Sequence, residues 1–375
     1  MPSKSGIAIL GAGIFAKEAH LPALAVLKDA APALKVVYSR SETSAKDLAG
    51  QAQEVLNLPD SPGIYHDGGA PSTGLDALLQ RDDISAVIIV MPITLQPGLV
   101  IKALEAGKHV LSEKPIAPDV AGGLDLIQQY KTRFKPKGLV WRVAENFEAE
   151  PAVQFAAEVI RSGRIGDVTF FKAVAINHID KDSKWYKTAW RTVPDYQGGF
   201  LLDGGVHTIA VLRTILPKPL THLSAFPSLN KDYLKPHDTI HAIIKAEGSF
   251  NGTLEMTWAF PTEKKPQADQ FVVTGTRGWL SINSSWSPPV FRVTIASIGK
   301  GGEGGKEDVV EEIVEKPMKG VETELKSFFD AISGNNETLP FGDPDAALQD
   351  VAVIQAALNS DGHLVDLVRL QSTGR

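Results

Sequence analysis

Residues 11–16 read Gly-Ala-Gly-Ile-Phe-Ala, a G-x-G-x-x-A turn set between an apolar run and a stretch of helical pattern. Gly11 permits the tight turn, Gly13 lets the backbone approach a pyrophosphate with no Cβ in the way, and Ala16 allows close helix–sheet contact. The N–H groups of the opening turn, Ile14 and Phe15 among them, are left facing an anion. A tight turn without a ligand is the alternative. Tyr38-Ser39-Arg40-Ser41 ends the second apolar run, where an NAD-selective enzyme carries an acid against the ribose 2′-hydroxyl. A guanidinium flanked by hydroxyls suits a 2′-phosphate, so Ser39 and Arg40 predict NADP(H), with NAD(H) admitted if Arg40 is only a solvated charge. Asp203 and His207 lie four residues apart in a glycine-rich block, and if that block opens a helix they share one face and point into one cleft. Trp185, Tyr186, Trp190 and Arg191 fall within residues 184–194, an aromatic and polar mixture that suits sugars. Sugar C–H faces stack on rings while the hydroxyls need fixed partners, although packing of a long loop uses the same aromatics.

The elements that must position these residues change character along the chain. Apolar runs at 7–10, 34–38, 86–90, 109–111 and 139–143 alternate with helical patterns at 16–28, 98–106 and 119–134, the sign of a doubly wound parallel sheet. A helix over 152–162 follows. Alternating strands at 168–176, 239–247, 252–258 and 270–274 then predict a large, mainly antiparallel open sheet, closed by helices over 321–333 and 345–360. The fold class is thus an α/β Rossmann domain over 1–143 followed by an α+β domain over 144–375 that carries substrate contacts and oligomerisation. The Gly-rich run 299–305 reads as a hairpin connection, since no strand-then-helix frame surrounds it.

Ala106-Gly107-Lys108-His109-Val110 followed by Glu113-Lys114-Pro115 strongly resembles the signature of the glucose-fructose oxidoreductase, inositol dehydrogenase and rhizopine-catabolism (Gfo/Idh/MocA) family. Residues 198–207, Gly-Gly-Phe-Leu-Leu-Asp-Gly-Gly-Val-His, resemble its G-G-x-L-x-D-x-G-x-H pattern. The resemblance implies a Lys-Pro peptide that is often cis, a catalytic Lys114, a Glu113 near the nicotinamide ribose, and catalytic shares for Asp203 and His207. The family's T-P-N-x-x-H is replaced here by Met91-Pro92-Ile93-Thr94-Leu95-Gln96, leaving Pro92 and Gln96 as the cofactor contacts. Its N-x-R-F-x-P is replaced by Asn146-Phe147-Glu148-Ala149-Glu150-Pro151. Ala144-Glu145-Asn146 with Trp190-Arg191 looks like a fungal-type, NADP-preferring branch, and Glu145 and Asn146 join the candidates for the substrate wall.

Composition bounds what remains. At 375 residues two domains are favoured over one. A formal charge of −6, from 38 basic and 44 acidic residues with no basic face, makes nucleic acid an unexpected partner. The absence of cysteine excludes thiolate catalysis and zinc–thiolate sites, and the nine histidines show no ligand cluster, so no metal is expected. No apolar run reaches membrane-spanning length and no signal segment is legible, so a cytoplasmic location is expected. The expected function is NADP(H)-dependent hydride transfer to or from a sugar, polyol or related carbonyl, in a homodimer or homotetramer joined through the C-terminal sheet. Two alternatives stand beside it: a reductase of non-sugar carbonyls, and an idle cofactor-binding sensor or scaffold.

Overall fold

The chain is seen in a computed structural model that describes residues 5–265, 270–299, 308–335 and 339–374, of Gln270 the backbone only. Beyond Gly299, the Gly-rich run 299–305 lies outside the described residues.

Short runs of Ile, Val and Ala, too apolar for one wet face, become the strands of a parallel sheet covered on both sides. They are β1 (Gly6–Leu10), β2 (Leu34–Ser39), β3 (Gly63–His66), β4 (Ile84–Ile89), β5 (His109–Glu113) and β6 (Trp141–Ala144), in the order β3-β2-β1-β4-β5-β6. β1 is buried throughout and β4 at every position but Ser85. The order reverses between β1 and β4, which opens a crevice at their carboxyl ends. Helices α1 (Leu21–Leu27), α2 (Glu42–Val55), α3 (Leu75–Leu79), α4 (Gln96–Glu105) and α5 (Val120–Gln129) make the crossovers. The helical pattern at 16–28 resolves into a π-helical turn, Ala16–His20, running into α1. A late helix, α9 (Gly320–Ser333), joins this core: Leu325, Phe328 and Phe329 are buried with Ile7, Ile9, Leu48 and Leu111.

The second sheet has nine strands: β7 (Val168–Ile176), β8 (Leu220–Ser228), β9 (Thr239–Ala246), β10 (Asn251–Thr257), β11 (Gln270–Gly275), β12 (Gly278–Trp286), β13 (Pro289–Ile298), β14 (Val309–Pro317) and β15 (Val365–Asp366). Its order is β14-β13-β12-β11-β7-β10-β9-β8-β15, antiparallel at every junction except the parallel β7–β10 pair. Phe171, Ala173, Leu254, Met256 and Ile244 face the core, whereas Phe170, Ile243 and Trp279 stay on the open face. The helices of this part are α6 (Pro151–Arg161), α7 (Ala189–Thr192), α8 (Phe200–Ile215), α10 (Pro344–Asn359) and α11 (Leu367–Thr373). α8 can lie close on the sheet because a Cβ on Gly204 would come within 2.7 Å of the Trp258 ring, and one on Gly205 within 2.6 Å of Met256 Sδ. Those two glycines face the sheet.

Two compact units result: Met1–Ala117, Gly122–Asn146 and Val321–Ala347 in one, and Pro118–Ala121, Phe147–Gly320 and Leu348–Arg375 in the other. The division differs from a single cut after residue 143 because the apolar face of α9 is buried in the parallel-sheet core.

Candidate active site

The register of the parallel sheet lines up one edge. Leu10 pairs with Tyr38 and with Ile89, Ile89 with Ser112, and Glu113 with Ala144. Gly11, Ser39, Val90, Lys114 and Glu145 therefore leave their strands at the same carboxyl edge, and Arg40, Pro92 and Asn146 follow in the loops. Gly11 adopts φ +119°, and a Cβ there would sit 2.0 Å from the Val90 carbonyl oxygen, so the turn admits glycine alone. Gly13 is different: a Cβ built on it meets nothing within 4 Å, and Ile14 and Phe15 behind it are already helical. An open glycine in front of a helix start is what an approaching phosphate requires.

Gln96, on the first turn of α4, is 1% exposed, and neither atom of its amide takes a hydrogen bond from the described residues. A buried amide without partners is costly and marks a place for a ligand's polar groups. At the far end of the edge Arg40 is exposed, and Ser41 caps α2 by accepting the Ser44 N–H at 3.2 Å. Asp67, just past β3, accepts the Tyr38 hydroxyl at 2.8 Å. Burial and that acid together push the Tyr38 phenol above its ordinary range. These residues fit a dinucleotide: glycine turn, helix start, unpartnered amide and a terminal cation along one edge.

β5 delivers Glu113 and Lys114. Glu113 is buried and bonds His20, itself fully buried, at 2.7 Å between Oε1 and Nε2. Lys114 is half-buried and joined to Pro115 by a cis peptide, as the resemblance implies.

In the second unit Gly198 and Gly199, at φ +72° and +53°, turn the chain into α8, which carries Asp203 and His207 one turn apart as the spacing predicts. Asp203 is buried and its Oδ2 accepts from Arg191 Nε at 2.6 Å. That guanidinium in turn lies 4.0 Å from the Trp190 ring centroid and 5.1 Å from that of Trp185, so four of the residues singled out in the sequence form one cluster. Tyr186 does not join it; its ring stands edge-on to Tyr233 at 5.4 Å. His207 is half-buried and stacks on Phe147 with ring centroids 4.4 Å apart.

Several members of the site were not read from the sequence. Tyr196 is buried beside the Trp190 ring, with its hydroxyl unbonded among the described residues; burial first, and the Asp203 charge second, push its phenol up. On α8, the helix of Asp203, Arg213 is clamped by Glu148 at 2.7 Å and Asp350 at 3.0 Å. Burial opposes its charge, but the two carboxylates hold the guanidinium firmly protonated. Phe147 falls at an open position of the family pattern and Glu148 where that pattern puts an arginine, so only contacts across the fold reveal their partners.

Among the described residues no helix is long and apolar enough to cross a membrane. Residues 5–136 match the model of the oxidoreductase family with NAD-binding Rossmann fold, GFO/IDH/MocA, and residues 153–281 match the GFO/IDH/MocA C-terminal domain. Dehydrogenase FPY6 of Fusarium mangiferae is 40% identical over 364 residues, covering 95% of this chain and 96% of the relative. This similarity bears out the fungal-type branch expected from the sequence. A dTDP-3,4-didehydro-2,6-dideoxy-alpha-D-glucose 3-reductase of Streptomyces violaceoruber is 28% identical, covering 80% of this chain and 83% of its own. An oxidoreductase of Thermotoga maritima superposes with a TM-score of 0.80 at 28% identity, covering 98% of this chain and 99% of the other. With both family domains matched in order, and the glycine turn, the Glu113-Lys114-Pro115 motif and the Asp203/His207 helix in place, the chain belongs to the GFO/IDH/MocA family of oxidoreductases.

Proposed function

We propose that this oxidoreductase uses NADP(H) to move a hydride to or from the carbinol or carbonyl carbon of a sugar, polyol or related compound. The observation that carries the reading is the shared carboxyl edge, which sets Lys114 directly after β5 in line with the open Gly13 turn and the unpartnered Gln96 amide. When bound, the nicotinamide supplies the carbon that gives or accepts the hydride. Lys114 donates a hydrogen bond to the reacting oxygen and stabilises the negative charge that develops there. His207 takes up or returns the proton of the substrate hydroxyl, its ring held flat against Phe147. Asp203 and Arg191 fix the polar wall at Trp185 and Trp190, with Glu145 and Asn146 assigned to the same role at the end of β6. The sugar class is supported by this charged, aromatic lining and by the similarity to a dTDP-sugar reductase.

The choice of NADP(H) rests on the exposed Arg40 after β2. NAD(H) is the second reading, favoured by Asp67, an acid at the same edge. The test follows NADPH and NADP+ absorbance over a panel of sugars, polyols and small carbonyls, with titration of both dinucleotides. Arg40→Ala is expected to weaken NADP(H) by about tenfold or more and leave NAD(H) unaffected, and Lys114→Ala to lower kcat by roughly 10²–10⁴. Unchanged NADP(H) affinity in the first variant overturns the cofactor choice, and near-normal turnover in the second overturns the mechanism. Tight binding with no turnover on any substrate makes the protein a sensor instead. We also assign self-association to the open face of the second sheet, where Phe170, Ile243 and Trp279 are 52%, 64% and 38% exposed.

A further inference from the structure

We infer that His20 is a positioning residue for the cofactor: it fixes the Glu113 carboxylate so that its second oxygen can accept a hydroxyl of the ribose on the nicotinamide side, next to Lys114. This inference rests on the cofactor reading above.

The two side chains lie 93 residues apart in sequence and meet at 2.7 Å in the interior, with 0% of His20 and 7% of Glu113 exposed. Among the described residues the Glu113 carboxylate makes no other hydrogen bond. A carboxylate taken out of water needs a donor to stay in one orientation, and among the described residues the imidazole supplies it. Nδ1 of the same ring is buried and unbonded among the described residues. With Nε2–H donating to Glu113, Nδ1 is left an acceptor; a proton there as well would be a buried donor with no acceptor. Bonded in this way the ring presents one N–H to one carboxylate oxygen, leaving the other for a ligand.

The backbone is shaped for this contact. Ala16–His20 is a π-helical turn, and its wider winding ends on His20 immediately before α1. Phe15, at the head of the same helix, packs edge-on against the His20 ring at 5.4 Å and 84°. His20 thus ties the helix behind the glycine turn to the end of β5, so the phosphate-binding end of the crevice and the Glu113–Lys114 end are held by one side chain. Glu113 and Lys114 are consecutive, so a Glu113 free to turn loosens the residue beside the chemistry as well.

The test measures equilibrium binding to the intact chain, pairing each dinucleotide with its adenine half: NADP+ with 2′,5′-ADP, and NAD+ with 5′-AMP. His20→Leu should weaken the preferred dinucleotide by roughly 10- to 100-fold and leave the adenine half within about twofold of wild type. His20→Gln, which restores an N–H, should recover affinity to within about threefold. His20→Leu placed on Glu113→Gln should add no further loss, because both changes act through one carboxylate. If His20→Leu does not fold, Glu113→Gln alone carries the test and must weaken the dinucleotide but not its adenine half. Unchanged dinucleotide affinity in the folded variant, or equal loss of both ligands, overturns the role of His20. A wild-type chain that binds none of the four ligands overturns the cofactor reading instead.

Discussion

Asp203 and Arg191 show how a residue legible in sequence acquires a partner that is not. Their spacing and types were visible, but a sequence offers many cations for one acid, and only the turn through Gly198 and Gly199 brings Arg191 Nε to 2.6 Å. With side-chain exposures of 13% and 9% the pair is largely shut off from water, so removing one member takes a close opposite charge from the other where solvent screens little. Arg191→Leu should cost about 3–5 kcal/mol in denaturant unfolding, and Asp203→Asn in the same chain should restore part of that loss. A loss below about 1 kcal/mol would mean that the pair behaves as a surface salt bridge. His20 and Glu113 carry the same lesson more sharply. Glu113 was named from its motif, whereas a histidine nine residues after Gly11 gave no signal of its own.

Among the elements, those with a strong pattern were legible and those built from small or short side chains were not. The sequence marks β7 at residues 168–176, the bounds it has in the structure, because its run of apolar and β-branched residues has no helical period. α2 leaves no such mark: its buried face is Ala45, Leu48, Ala49 and Ala52, mostly methyl groups that hardly register as an apolar stripe. The glycine turn is the element whose two key positions separate folding from binding. Gly11→Ala forces a Cβ to 2.0 Å from the Val90 oxygen at φ +119° and should lower stability by about 1–3 kcal/mol or more. Gly13→Ala meets open space and should leave the melting temperature in place while weakening the dinucleotide by about tenfold or more. Thermal melts paired with cofactor titration check both, and a Gly13→Ala chain with full affinity would remove the turn from the cofactor site.

At the scale of the molecule the second sheet has, among the described residues, a face on which Phe170, Ile243 and Trp279 stay exposed. Register places Phe170, Thr274 and Trp279 in one row of that face, with Ile243 two residues along through its pairing with Thr253. Large apolar side chains repeated across a wide sheet face are the usual ground for isologous pairing. Ile243→Glu puts a charge in the middle of it, and if the proposed self-association uses this face, light scattering should report a lower mass for the variant than for the unaltered chain. Equal masses for the two would assign the face to solvent.

By itself the sequence determined the order of the two sheets, the glycine turn, the Glu113-Lys114-Pro115 motif and the Asp203/His207 pair. Each is written in contiguous residues, where periodicity and spacing act directly. The tertiary structure alone decided that α9 packs into the parallel-sheet core through Leu325, Phe328 and Phe329. It alone decided that Gly204 and Gly205 serve close contact with Trp258 and Met256, and that His20 meets Glu113 and Arg191 meets Asp203. Those choices depend on which buried surfaces and which charges find each other across long stretches of chain, and local pattern carries no record of that.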